Sequence, residues 1–244
     1  MRYLIISDIH ANLAAFEAVL DSAGDFDKIW CLGDLVGYGP DPNECIAKLQ
    51  QFDHLCVAGN HDWAVLERLD LEDFNPDAQT ASRWTQAQLT PDNCTFLQSL
   101  PTTLIEEGLT LVHGSPRQPV WEYVLYPSVA LPNFSYFGTQ FCFIGHTHVP
   151  LIYRLVLQEF GEFCELIQPP LNGPIPLGEK RLIINPGSVG QPRDGDSRAS
   201  YAILDLEHRT IEYRRIPYPV EETQQRMEKV NLPARLISRL SFGW

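Results

Sequence analysis

Five short clusters hold Asp, His or Asn in combinations suited to binding metal ions or moving protons. They are Asp8-Ile9-His10, Gly33-Asp34, Gly59-Asn60-His61-Asp62, His113-Gly114 and Gly145-His146-Thr147-His148. Five of the chain's seven histidines lie in them, leaving His54 and His208 outside. A lone histidine is usually a hydrogen-bonded core or surface imidazole. Five gathered with two aspartates and an asparagine mark a metal site. The donors are nitrogen and oxygen without sulfur, which suits Mn, Fe, Zn, Co or Ni, with Mn favoured here. Asp8, His10, Asp34, Asn60, His113, His146 and His148 are too many for one tetrahedral zinc. They suit two divalent ions roughly 3.5–4 Å apart that share a carboxylate. His61 is then left over beside a candidate ligand, in place to donate a proton.

Each cluster follows an apolar run: YLIIS, IWCLG, LCVAG, LTLV and FCFIG. Open α/β sheets bind ligands beyond the carboxyl ends of their strands, so five such ends can deliver these side chains to one point. Side chains two apart in an extended segment point the same way. Asp8 with His10, and His146 with His148, are therefore expected to face one ion as extended pairs. Gly33, Gly59 and Gly145 precede three clusters, where a missing side chain lets the backbone turn and leaves room beside an ion.

Strands are expected at residues 3–7, 28–32, 55–58, 109–112, 141–144, 152–157, 181–184, 201–205 and 210–216. Helices are expected at 12–22, 43–51 and 77–89. Early strand–helix alternation indicates α/β organisation. The late strands, with no helices between them, are expected to form a second, largely antiparallel sheet. Residues 115–138, rich in Pro and aromatics, and 168–179, with four prolines, read as long loops, the first either a lid or a cover over a sheet. Strand-like runs flank both loops, so the chain reads as one domain over 1–244, with a helical tail at 219–244 packed on it.

Lys plus Arg number 18 against 31 Asp plus Glu, a formal charge of −13. That balance disfavours long nucleic acid as a partner. No apolar stretch approaches the ~20 residues of a membrane span, and the first residues lack the long apolar region of a signal peptide. The six cysteines form no CxxC pair, and Cys31, Cys56 and Cys142 sit in apolar runs as small hydrophobes rather than in a disulfide framework. The protein is expected to be cytoplasmic.

Taken in order, the five clusters resemble those of the calcineurin-like metallophosphoesterase superfamily. Asn185-Pro186-Gly187-Ser188-Val189 extends the likeness. The segments DIHANLAAFEAVL, GDLVGYGPDP and NPGSVGQPRDGD resemble its small bacterial and archaeal phosphodiesterase-like branch. The resemblance implies a four-layer α/β/β/α sandwich of two mixed sheets, the metallo-dependent phosphatase fold. It implies Asp8, His10 and His148 at a first metal, Asn60, His113 and His146 at a second, Asp34 bridging, and His61 as the catalytic histidine. The implied reaction is attack on phosphorus by water activated between the ions.

Protein phosphatases of the superfamily carry arginines beside the GD and GNH motifs. Here Leu-Val-Gly-Tyr follows Asp34, and Trp63 follows Asp62. The expected activity is hydrolysis of a phosphodiester or phosphoanhydride in a small soluble substrate, such as a dinucleoside polyphosphate or cyclic nucleotide. The alternatives are a phosphomonoesterase or protein phosphatase, and a non-catalytic scaffold. Arg193 is the candidate to grip a second phosphate, unless Asp194 or Asp196 pairs with it. Asn12 is first a helix cap and second a phosphate contact. Tyr38 stacks on a base, lines the pocket, or simply packs. Asp62 orients His61 or caps a helix.

Overall fold

The apolar run that ends at Asp8 alternates between two hydrophobic layers. In the computed structural model, which describes residues 1–159, 161–171 and 173–244, this run is strand β1 (Arg2–Ile6). Its Leu4 and Ile6 pack with Phe16, Val19 and Ile46 of helices α1 (Leu13–Ala23) and α2 (Pro42–Leu49). Its Tyr3 and Ile5 face the other way, towards Leu111, Phe143 and Ile184. A strand buried on both faces reads as apolar throughout, which is why these runs lack the alternation of a half-exposed strand.

β1, β2 (Lys28–Cys31) and β3 (His54–Cys56) are parallel. Beyond them come α3 (Asn60–Ala64), α4 (Pro76–Gln88), α5 (Pro91–Ser99) and β4 (Thr103–Glu106). β5 (Leu109–Val112), α6 (Pro127–Asn133), β6 (Phe141–Phe143), β7 (Pro150–Gln158) and β8 (Gly161–Ile167) follow. The rest are β9 (Ile175–Pro176), β10 (Leu182–Pro186), β11 (Ala199–Asp205), β12 (Thr210–Ile216), α7 (Val220–Lys229) and α8 (Ala234–Arg239). One six-stranded sheet has the order β3-β2-β1-β11-β12-β9, the other β4-β5-β6-β10-β7-β8.

The sheets stack through a middle layer that includes Trp30, whose ring centroid lies 6.0 Å from that of Phe143. α1 and α2 cover the outer face of the first sheet. Ala130 of α6, with Phe134, covers the second, against Cys142, Ile144, Tyr153 and Ile183. The layers are α/β/β/α, and both sheets are mixed. A fully buried large apolar side chain contributes roughly 1.5–3 kcal/mol. Several in the middle layer fix the sheets together and so hold the ends of β1, β2 and β3 against those of β5 and β6.

One expectation about the sheets is corrected. Of the late strands, β7 and β10 do enter the second sheet, where β4–β5, β10–β7 and β7–β8 are antiparallel, but the last two do not: β11 pairs antiparallel with β1, and β12 with β11. The second sheet also contains the parallel set β5, β6 and β10 at its centre. Periodicity reveals a strand but not its neighbour, and the open edge of β1 accepts the late hairpin. The two long loops also carry local structure, α6 in the first and β9 in the second. Among the described residues no helix is long and apolar enough to cross a membrane.

Met227 of α7, Leu232, Leu236 of α8 and Leu240 form a fourth apolar cluster with Tyr38, Phe74 and Ala78. Thr223 donates to Asn12 Oδ1 at 2.9 Å, and Arg226 pairs with Asp41. These contacts seat both tail helices beside the loops that follow β1 and β2.

Candidate metal centre

The seven candidate ligands and His61 are all buried at the carboxyl ends of β1, β2, β3, β5 and β6. Ligand atoms of Asp8, His10, Asp34 and His148 form one group, and those of Asp34, His113 and His146 a second, so Asp34 belongs to both. Asn60 Oδ1 lies 3.1 Å from His113 Nε2.

The ligand pairs converge by a different route from the expected extended one. β1 ends at Ile6, and φ is 55° at Asp8 and 49° at His10. Asp34, His146 and His148 are also left-handed, at 53°, 64° and 60°. Non-glycine residues rarely adopt this region, and such strain persists only where surrounding structure over-determines it. Here the loops are bonded to one another: the Asp8 amide donates to Gly33 O at 3.0 Å, the His10 amide to Asp34 O at 2.9 Å and the His146 amide to Asp8 Oδ2 at 3.1 Å. Two glycines permit the close approach. A Cβ on Gly59 would lie 2.1 Å from Asp34 Oδ1, and one on Gly145 1.9 Å from Ser7 Oγ.

Each of the four candidate histidine ligands has one ring nitrogen turned to a backbone carbonyl, which only an N–H satisfies. His10 Nδ1 faces Val36 O at 3.3 Å, His113 Nδ1 faces Leu32 O at 2.7 Å, His146 Nε2 faces Trp121 O at 3.1 Å, and His148 Nδ1 faces Gln191 O. Such outer contacts fix the tautomer and leave the other nitrogen as the ligand atom. The remaining nitrogens face each other in pairs, His10 Nε2 with His148 Nε2 and His113 Nε2 with His146 Nδ1, both at 3.1 Å. Asp8 Oδ1 and Asp34 Oδ2 are buried without a hydrogen-bond donor. Asp34 Oδ2 stands 3.6 Å from His10 Nε2 and 3.4 Å from His113 Nε2. Nitrogens and carboxylate oxygens this close need a proton or a cation between them, and a metal ion can serve several of them at once. The donor set therefore fits metal ions.

Ionisation agrees with this reading. Burial opposes the charge on Asp8 and Asp34, yet His148 at Asp8, and His113 and His61 at Asp34, hold both carboxyls well below the ordinary range. Burial pushes His10 and His146 well below their ordinary value, so both are neutral and ready to bind an ion. His113 differs: burial opposes its charge, but Asp34 and Asp8 overcome this and raise it to about 9.

The His61 amide donates to Asp34 Oδ1 at 2.8 Å. Its ring lies 5.0 Å from that of His10, 4.2 Å from Tyr38 and 5.3 Å from Phe74, and its Nδ1 has no partner. Burial lowers its pKa to about 4. Asp62 does not reach this ring. Its carboxylate accepts from the amides of Gly59 and Asp34, each at 2.9 Å, and Val36 at 3.2 Å, clamping the β2 and β3 loops together. Burial and the Asp34 charge push it up to about 7, against the Gly59 and Val36 amides. Replacing Asp62 with alanine strands three buried N–H groups, each costing about 1–3 kcal/mol. The variant is expected to lose ~3–5 kcal/mol in denaturant unfolding; a loss under ~1 kcal/mol would show that water replaces the clamp.

A sequence model described as the calcineurin-like phosphoesterase superfamily domain matches residues 1–209. The chain belongs to that superfamily. Within it, the crystal structure of a metallophosphoesterase from Sphaerobacter thermophilus aligns with a TM-score of 0.88 at 45% identity, covering 100% of this chain and 99% of that one. An uncharacterized protein of Methanocaldococcus jannaschii is 39% identical over 252 residues, 98% of this chain and 97% of its own. A symmetrical bis(5'-nucleosyl)-tetraphosphatase of Pseudomonas putida is 31% identical over 105 residues, 36% of each chain. The superfamily match thus covers every cluster of donors and ends before α7 and α8.

The remaining candidates fall around this calcineurin-like centre. Tyr38 is buried against His10 and His61. Asn12 is not among the donors: it caps α1 through Ala15 N and bonds to Gly190 O, Tyr218 Oη and Thr223 Oγ1. Asp194 and Asp196 pair with Arg215 and Arg198, not with Arg193. Arg193 donates instead to Gln191 Oε1 at 3.0 Å, and its Nε is buried without a partner.

The sequence reading missed Gln191 and Trp121, whose carbonyls orient His148 and His146. It also missed Tyr123, with its ring 3.7 Å from that of His146. No side-chain pattern announces a backbone carbonyl. The aromatic loop both touches the centre, through Trp121 and Tyr123, and covers the second sheet, through Phe134.

Proposed function

We propose that the protein hydrolyses a phosphodiester or phosphoanhydride in a small soluble substrate, using two divalent ions held by Asp8, His10, Asp34, Asn60, His113, His146 and His148, with His61 as the catalytic histidine. The observation that carries this is the pairing of carbonyl-oriented imidazoles whose remaining ring nitrogens meet at Asp34. When bound, the ions would supply Lewis acidity, bringing a water's pKa towards neutrality and drawing charge from phosphoryl oxygens.

The chain's own residues do the rest. Asp34 reaches both groups of donors and keeps them in one geometry. His61 stands at the edge of the centre, between Tyr38 and His10, to donate a proton to the departing oxygen. As the water oxygen bonds to phosphorus, the bond to the leaving oxygen breaks and that oxygen gains a proton. The nitrogen and oxygen donors favour manganese as the first ion to test. The six free cysteines fit a reducing, cytoplasmic setting.

The test is turnover of bis(4-nitrophenyl) phosphate and 4-nitrophenyl phosphate by manganese-loaded protein. Diester turnover at least about tenfold above monoester turnover is expected. A reversed ratio would make the protein a phosphomonoesterase, and no turnover of either ester would leave a scaffold.

A further inference from the structure

Beside the metal donors lies a cleft of about 270 Å³ whose lining includes Tyr38, Asp77, Tyr123, Arg193, Arg235 and Arg239. Three guanidinium groups face one carboxylate there, on a chain of net charge −13. Among the described residues none of the three pairs with an Asp or Glu side chain, although Arg239 Nε donates to Trp244 O, whereas Arg198, Arg215 and Arg226 each hold an aspartate. The cleft opens on the centre through two rings: Tyr38 touches His61, and Tyr123 stacks on His146. The Arg193 guanidinium lies 5.8 Å from the Tyr38 ring centroid.

Two of these arginines come from α8, outside the segment the superfamily match covers. Their spacing of four residues places them on one face of the helix. The helix is fixed in place: Leu236 and Leu240 are buried, Gln224 donates to Ile237 O at 2.8 Å, and the Gly195 amide donates to Gly243 O at 2.9 Å. That last bond ties the end of the tail to the loop carrying Arg193. Like charges gathered together destabilise a fold: burial most, and then Arg193 and Arg235, bring Arg239 down to about 10. An anion with several charges removes that repulsion. Guanidinium groups match phosphate oxygens in pairs.

We propose that Arg193, Arg235 and Arg239 hold the further phosphates of a polyphosphate-bearing substrate, such as a nucleoside polyphosphate, while the phosphorus to be attacked sits at the metal donors. The inference rests on the phosphoesterase reading above and narrows it to the phosphoanhydride class. It also gives a reason for the absent arginines beside the GD and GNH motifs: the tail supplies the grip from the other side of the site.

The test reads binding without turnover. Metal-stripped, desalted protein is titrated calorimetrically with inorganic tripolyphosphate, and separately with orthophosphate. Tripolyphosphate is expected to bind at least about tenfold more tightly than orthophosphate. Arg235→Gln/Arg239→Gln is expected to weaken tripolyphosphate binding by about tenfold or more per arginine. The Arg235→Lys/Arg239→Lys protein is expected to fall between, with a melting temperature matching the wild type. Binding by the glutamine variant within threefold of wild type, or no binding by wild type, overturns the proposal. Arginine-dependent binding without any phosphodiester turnover would keep the cleft and sink the hydrolase. Turnover of the aryl diester without tripolyphosphate binding would do the reverse.

Discussion

Replacing His61 with alanine is expected to cut kcat on an aryl phosphodiester by about 10²–10⁴-fold, the usual worth of a positioned proton donor. Metal content should not change, because the His61 ring belongs to neither group of donors. Burial holds the ring near pKa 4, so it is neutral at neutral pH in the free protein. A neutral imidazole still offers one N–H, and an arriving phosphate anion raises its pKa. The ring is also packed between Tyr38 and Phe74, so the alanine variant opens a cavity. His61→Gln keeps much of the volume and separates lost packing from lost chemistry. The measurement is kcat beside elemental analysis and a melting curve. A variant with full metal and near-wild-type kcat would remove His61 from the mechanism.

Stripping the divalent ions should abolish turnover and lower the melting temperature by about 10–20 °C. Each ion at a hundredfold excess over its Kd adds about 2.7 kcal/mol. At this chain length each kcal/mol shifts the melting point by roughly 2–4 °C. The pH dependence follows from His113. Its pKa is about 9 in the metal-free fold, against an ordinary 6.5, because Asp34 and Asp8 outweigh burial. Its stabilising charge is fully present below the unfolded value of 6.5 and is lost as pH rises through about 9. The metal-free protein should therefore lose stability across that window. Metal uptake runs the other way. Ligation needs the Nε2 lone pair, so binding at this group expels a proton, and affinity should rise about tenfold per pH unit up to about pH 9. Calorimetry in buffers of differing ionisation enthalpy counts the proton. Uptake without proton release between pH 7 and 8 would show that His113 is not a ligand.

Asp62 and His61 face different surroundings for a geometric reason. Both follow Asn60, yet helix geometry points them to opposite tasks: Asp62 turns back to cap the loops, and His61 turns into the centre. Adjacency to Asn60 pointed to His61 but left Asp62 open between orienting that ring and capping a helix. Position on the first turn of α3 separates the two side chains.

The clusters were legible because burial on both faces makes a strand wholly apolar, so the polar residues after it stand out, as Ser7 and Asp8 do after Ile6. β8 was not legible: its Gly161, Glu162 and Phe163 are exposed, and an exposed hairpin carries no burial pattern. Nor was α6, whose Pro132 masks a helix within a Pro-rich loop.

By itself the sequence determined which residue types the centre has and at which strand ends they stand, since ligand chemistry and strand burial are both local properties. Three matters were decided by tertiary structure alone. Left-handed turns, not extended pairing, aim Asp8 with His10 and His146 with His148. The late hairpin β11–β12 pairs with β1 instead of founding its own sheet. The tail folds back so that Arg235 and Arg239 meet Arg193. Each depends on contacts between segments far apart along the chain, and such contacts are set by how buried faces stack, which no local pattern of residues encodes.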